Sequence, residues 1–116
     1  MRKSVLLLMV FCSSFLFAQV NKGYEPIYEK QGELVAVTLF YENGSVKEQG
    51  FYKDKKLHGE WIKYNREGVK ITRAQYNCGM KTGKWMFLNK GILTEVTYKN
   101  NRITEVKDLN EDVILD

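Results

Sequence analysis

The chain has 116 residues, with 18 Lys and Arg against 14 Asp and Glu, a formal charge of +4, one proline and one histidine. That length holds one ordinary domain rather than two. The small basic surplus excludes the strongly cationic footprint of a nucleic-acid binder, and one histidine with two cysteines leaves few ligands for a soft-metal site.

The first element in chain order is an export signal. Arg2 and Lys3 open the chain, Val5 to Phe17 is apolar apart from Cys12, Ser13 and Ser14, and Ala18 precedes Gln19. A basic, then apolar, then small-residue order predicts a secretory signal peptide over 1–18, cleaved after Ala18. Its apolar run of 13 residues is shorter than the roughly 18 of a spanning helix. Cleavage would leave 98 residues with 16 bases against 14 acids, a net +2. It would also remove Cys12, so Cys78 would be the one thiol of the exported chain and no internal disulfide could form. The expected compartment is the periplasm, the cell envelope or the outside.

Residues 19–33 read as a lead-in that ends in a degenerate unit, Tyr28-Glu29-Lys30-Gln31-Gly32. Over 34–106 a single unit repeats, and Gly59-Glu60-Trp61 and Gly83-Lys84-Trp85 stand 24 residues apart. The first copy runs Phe40-Tyr41-Glu42-Asn43-Gly44, Gly50-Phe51-Tyr52-Lys53, then Leu57-His58-Gly59-Glu60-Trp61. The second runs Lys63-Tyr64-Asn65-Arg66-Glu67-Gly68, Ala74-Gln75-Tyr76-Asn77, then Lys81-Thr82-Gly83-Lys84-Trp85. A third starts at Phe87-Leu88-Asn89-Lys90-Gly91, continues to Tyr98-Lys99-Asn100-Asn101, and has no Gly-x-Trp. Tyr52 to Tyr76 is again 24 residues but Tyr41 to Tyr64 is 23, which suggests an extra residue in one turn. The stretch 107–116 is acidic and patternless, expected to fray or to add a short edge strand.

Each unit reads as a β-hairpin. Leu34 to Tyr41 is rich in β-branched and aromatic residues. Asn43-Gly44 then predicts a tight two-residue turn with positive φ at both residues, Val46 to Lys53 returns, and Asp54 to Gly59 makes a wider turn into the Trp61 strand. No helical period follows the signal segment. Isolated hairpins are marginal in water, so adjacent copies are expected to share one sheet. Gly50 and Ala74 hold equivalent strand positions, where a small residue leaves room for a ring from the next strand. Tyr52, Tyr76, Trp61 and Trp85 are the candidate rings. The expected fold is all-β, an antiparallel meander of repeated hairpins in one elongated sheet.

The repeated residues resemble the MORN-type repeat, in the bacterial MORN-variant form often called the YwqK family. Tyr41-Glu42-Asn43-Gly44, Gly50-Phe51-Tyr52-Lys53 and Gly59-Glu60-Trp61 carry the likeness in the first copy. Tyr64, Gly68, Tyr76, Gly79, Gly83 and Trp85 carry it in the second, and Gly91 and Tyr98 stand at the matching points of the third. It covers about residues 34–102 and looks most like short secreted members from Bacteroidetes-type bacteria. The resemblance implies interaction roles: partner docking, scaffolding or lipid contact. It implies no catalytic residues and no cofactor.

The residues themselves point away from catalysis. His58 is the one candidate for acid–base or metal work, yet the second copy has Thr82 at its place, so it reads as a solvated turn residue. Cys78 stands where the first copy has Asp54 and reads as a turn residue, with thiol pairing to a partner chain as the sharper alternative. Glu48 and Glu95 recur at similar points with Thr72 between them, and a repeated acid on a strand reads as a solvated face rather than a hydrolytic pair. Lys53, Lys55, Lys56, Lys70, Arg73, Lys81, Lys84 and Lys90 alternate with acids and aromatics, as on a charged outer face. The expectation is a non-catalytic exported protein offering a sheet surface to a protein or envelope component. A peripheral lipid binder is the alternative and an enzyme the disfavoured one. The face occupied by Phe40, Phe51, Tyr64 and Phe87 is expected to separate core from binding surface.

Overall fold

A computed structural model describes residues 24–109. The predicted signal segment with Cys12, the lead-in up to residue 23 and the tail from residue 110 lie outside the described residues. Ten strands follow in order: β1 (Ile27–Gln31), β2 (Leu34–Phe40), β3 (Val46–Lys53), β4 (Lys56–Leu57), β5 (Gly59–Tyr64), β6 (Lys70–Asn77), β7 (Met80–Lys81), β8 (Gly83–Asn89), β9 (Ile92–Lys99) and β10 (Arg102–Leu109). They form one open antiparallel sheet in the order β1-β2-β3-β5-β6-β8-β9-β10, with β4 paired to β3 and β7 to β6. The described residues contain no helix. The all-β meander expected from the repeat is thus the fold observed, and the degenerate unit at 28–32 supplies most of β1.

The register aligns the repeat into a cross-strand row. Tyr28 pairs with Val37, Val37 with Gly50, Trp61 with Ala74, Trp85 with Val96 and Val96 with Val106. The pairings Gln49–Ile62 and Arg73–Met86, continued by one residue, set Trp61 beside Gly50 and Trp85 beside Ala74. Alternate residues of a strand share a face, so this row and its neighbours two positions away form a Trp face. Its buried centre is Val37, Trp61, Ala74, Trp85 and Val96, packed round by Leu39, Tyr52, Leu57, Tyr76, Phe87 and Tyr98. Among the described residues there is one sheet and no second layer, so the rings cover one another. Tyr52 stands edge-on to Trp61 at 5.6 Å between centroids, and Tyr76 stands edge-on to Trp85 at 5.1 Å. Such near-perpendicular ring pairs are a favoured aromatic packing, and they cover each indole with a neighbouring phenol.

The Gly-x-Trp motif has a backbone cause. Tyr52 pairs with Leu57, but three residues back Gln49 pairs with Ile62, so His58 and Gly59 are two extra residues that open the ladder. Gly59 turns the chain at φ +76° and Gly83 does the same at +70°, in the left-handed region. The carbonyl of Phe51, at the opening, accepts from His58 N at 2.9 Å and from Trp61 Nε1 at 3.0 Å. In the second copy Gln75 O accepts from Thr82 N and Trp85 Nε1 in the same way. The tryptophan thus fills the face and completes the ladder its own glycine interrupts.

The turns depart from the sequence expectation in kind. Asn43-Gly44 is not a two-residue turn with both φ positive: Gly44 has φ +88°, whereas Asn43 is not left-handed. Gly44 N donates to Tyr41 O and Tyr41 N donates to Ser45 O, and Asn43 Oδ1 accepts from Ser45 N. An Asx bond of this kind favours the wider loop over the primed turn. Asn65, Gly68 and Val69 repeat the two backbone bonds. The tight turns with both φ positive lie instead at Asp54-Lys55, Cys78-Gly79, Lys90-Gly91 and Asn100-Asn101. The segment Asp54 to Gly59 is therefore a tight turn, a two-residue strand and a kink, not a wide turn.

The 23-residue spacing is corrected too. Phe40 pairs with Val46 after a bulge at Lys47, and Tyr64 pairs with Lys70 after a bulge at Ile71. Phe40 is therefore the equivalent of Tyr64, and Tyr41 that of Asn65, so the first two copies keep the 24-residue period with no extra turn residue. The third copy is shorter. Leu88 pairs with Leu93 and Asn89 with Ile92 without a bulge, across the tight Lys90-Gly91 turn.

Candidate functional site

The Trp face carries a hollow of about 310 Å³ lined by Leu39, Glu48, Tyr52, Leu57, Trp61, Lys63, Tyr76 and Trp85, with Ala74 at its base. The small side chain of Ala74, between two indoles one repeat apart, makes the depression. Glu48 and Lys63 are cross-strand partners at one end, so an acidic and a basic side chain rise from neighbouring strands there. Tyr52, Leu57 and Tyr76 form the other end. Burial pushes the Tyr76 phenol up from its ordinary value, and the charge of Glu48 and the neighbouring Tyr98 add to the rise. Tyr76 thus holds its proton more tightly than a free phenol does. Past Trp85 the face continues to Tyr98, 4.9 Å away between centroids, and Lys81 Nζ lies over both rings at 5.2 and 5.3 Å. An apolar, ring-lined trough with one acid, one base and a phenol donor is suited to holding an extended or planar group by stacking and two or three polar contacts.

The hollow is where the copies differ. Leu57 becomes Lys81, Glu48 becomes Thr72 and Lys63 becomes Phe87 one repeat on. The shared positions do structural work. Gly44, Gly68 and Gly91 supply left-handed turn residues at φ +88°, +85° and +77°, Asn43 closes its loop, and Gly50, Tyr52, Gly59, Trp61, Tyr76, Gly83, Trp85 and Tyr98 build the face and its kinks. Tyr41 ties copies together: its hydroxyl donates to Tyr64 O at 2.6 Å, and the Arg66 guanidinium lies over its ring at 4.9 Å. Arg66 also pairs with Glu42, and the Glu42 backbone N–H together with this cation holds the carboxyl below its ordinary value.

The opposite face is mixed. Phe51, Ile62, Met86 and Leu93 share it with two charge clusters. Arg73 Nε lies 3.3 Å from Glu60, and Lys84 and Lys107 both lie 3.8 Å from Glu95, whose side chain is only 11% exposed. The second-tier aromatics therefore do not sit together. Phe87 joins the Trp face, 6.0 Å from Trp85. Phe51 and Tyr64 face the other way, Tyr64 Oη donating to Gln49 Oε1 at 2.9 Å. Phe40 packs by Tyr24. All four are half-buried.

Two further expectations change. Glu48 and Glu95 are not equivalent: Glu48 faces the tryptophans, whereas Glu95, partnered by Met86 and Lys107, faces away. They cannot act on one substrate. His58 is not a solvated turn residue but half-buried, and its Nδ1 accepts from Cys78 N at 3.1 Å with Cys78 Sγ 3.8 Å away. The repeat hid this because Thr82 holds the place of His58, and the next junction is made by a side chain of the following copy instead. There Asn101 Oδ1 accepts from Lys81 N at 2.8 Å and Asn101 N donates to Lys81 O. Among the described residues no three of His, Cys, Asp and Glu gather as around a metal ion.

Comparison with protein families, with curated proteins and with solved structures finds no match to this chain.

Proposed function

We propose that this protein is a non-catalytic, exported repeat protein of the MORN-variant type, whose Trp face binds a protein or another envelope component. The observation that carries the reading is the hollow between Trp61 and Trp85. Residues fixed by the fold frame it, and residues that change from copy to copy, Glu48, Leu57 and Lys63, decide what it accepts. A segment with an apolar or aromatic side chain flanked by one cation and one anion would meet Glu48 and Lys63 while stacking on the rings. The 24-residue repeat supports the family assignment, and the basic-apolar-small order of residues 1–18 supports export.

The test uses the two tryptophans, both on this face, as reporters. Envelope fractions, and separately anionic lipid vesicles, are added to the purified protein, and indole emission and co-sedimentation are followed. A bound envelope protein that shifts the emission, and whose capture fails with Lys63→Glu, supports the reading. Binding to vesicles alone, weakened by salt, favours a lipid surface instead. Turnover of a small substrate with no binding partner would overturn it.

A further inference from the structure

Among the described residues the sheet ends in two unlike edges. β1 has five residues, follows Pro26, and carries Glu29 at its centre. β10 has eight residues and no proline, and among the described residues it pairs only with β9. Open edges of this length present a row of unpaired N–H and C=O groups, which proteins usually blunt or cover. On β10 Ile103 and Val106 are each 58% exposed, and both project to the Trp face opposite Tyr98 and Val96.

The order of charges on β10 selects a partner. In antiparallel pairing of two identical strands, a two-fold axis passes through one residue and its own copy. With the axis at Val106, Glu105 of each chain meets Lys107 of the other, twice, and Thr104 meets Asp108. Moving the axis to Glu105, Lys107 or Asp108 sets like charges against each other. Moving it to Thr104 falls on the bulge between Ile103 and Glu105 and forms no charge pair. On β1 an axis at Glu29 opposes two carboxylates, and one at Tyr28 forms no ion pair. Directly opposed unlike charges stabilise an antiparallel pair and like charges destabilise it.

We propose that β10 is a self-association edge: two copies pair antiparallel about Val106 into one continuous sheet. The axis is perpendicular to the sheet, so both Trp faces lie on the same side. The row that ends in Val96 and Val106 then runs on through Val106 and Val96 of the second copy, covering both exposed valines. The dimer would offer two equivalent hollows on one surface. This inference stands apart from the ligand of the hollow, because no residue of β10 lines it.

The test is the solution mass of the purified protein at micromolar concentration. The wild type is expected to be a dimer. Glu105→Lys and Lys107→Glu, each alone, set like charges together and should raise the dimer dissociation constant roughly tenfold or more. An equal mixture of the two variants restores both ion pairs and should recover a dimer containing one of each. Circular dichroism checks that each variant is folded, since Lys107 also neighbours Glu95. An independent readout is crosslinking of Val106→Cys in a Cys78→Ser background, expected at position 106 and not for Glu29→Cys on the other edge. A monomeric wild type overturns the proposal. So does a dimer that neither charge variant weakens, or a mixture that stays monomeric. A wild-type monomer that dimerises once residues 110–116 are removed would show that the chain's own tail occupies the edge instead.

Discussion

Gly50 lies directly beneath the indole of Trp61. A Cβ at Gly50 would stand closer to Trp61 Cγ, Cδ2 and Cε2 than carbon atoms can approach, so the ring takes its place because the side chain is missing. Gly50→Ala must therefore push the ring off the row or bend β3. The expected loss is about 1–3 kcal/mol, read as a lower urea midpoint at unchanged slope. The same change at exposed Gly32, where nothing lies within 4 Å, meets no ring and costs only its left-handed backbone.

Trp85 touches Tyr76, Tyr98 and Phe87 and donates its Nε1–H to two carbonyls. Trp85→Ala should cost roughly 3–5 kcal/mol. Trp85→Phe keeps most of the ring and loses the hydrogen bonds, so it should cost about 1–2 kcal/mol less. Equal losses for the two variants in denaturant unfolding would show that the indole N–H, not the ring, holds the motif.

His58 joins the first copy to the second through Cys78 N. His58→Ala should cost up to about 1 kcal/mol, since the exposed Cys78 N–H exchanges this acceptor for water. His58→Asn should recover part of it, because a side-chain carbonyl can again accept from the Cys78 N–H. Hydrogen exchange of the Cys78 amide reads this directly: faster in the alanine variant, slowed again in the asparagine one.

Tyr76 gives the alkaline limb of stability its sign. Burial first, then Glu48 and Tyr98, raises its phenol above the ordinary value of 10.0. A raised folded-state value means the folded chain holds this proton more tightly than the unfolded one. The contribution is complete below the unfolded value and is lost as pH rises through the folded one. Stability should therefore fall above about pH 10, and Tyr76→Phe should flatten that fall. An unchanged alkaline limb in the variant would place the effect elsewhere.

The sheet was legible in the sequence because glycine and aromatic spacing report backbone geometry directly. Gly50 and Ala74 announced the ring positions, and the Gly-x-Trp pairs announced the repeat, although the kink before each tryptophan read as part of a wider turn. What misled was local turn chemistry. Asn43-Gly44 has the residues of a primed turn, yet the Asn43 side chain bonds to Ser45 and holds a wider loop. Asp54-Lys55 takes the primed turn without the usual glycine. Matching Tyr41 to Tyr64 by residue type hid the true equivalence of Phe40 and Tyr64, which only strand register shows. The hollow was half legible: its rings were foreseen as core, but the meeting of Glu48 with Lys63 depends on a register set by the two-residue kink at His58-Gly59. The join between His58 and Cys78 left no repeated signal, because Thr82 stands at the place of His58 and the next junction uses Asn101 of the following copy.

The most direct measurement of the Trp face as binding surface is site-specific photo-crosslinking in the producing cells. A photoreactive side chain is placed at Lys63, beside the hollow, or at Lys84, on the opposite face. The account predicts a discrete protein or envelope adduct from position 63 and none from position 84. An adduct from position 84 with none from position 63 would contradict it.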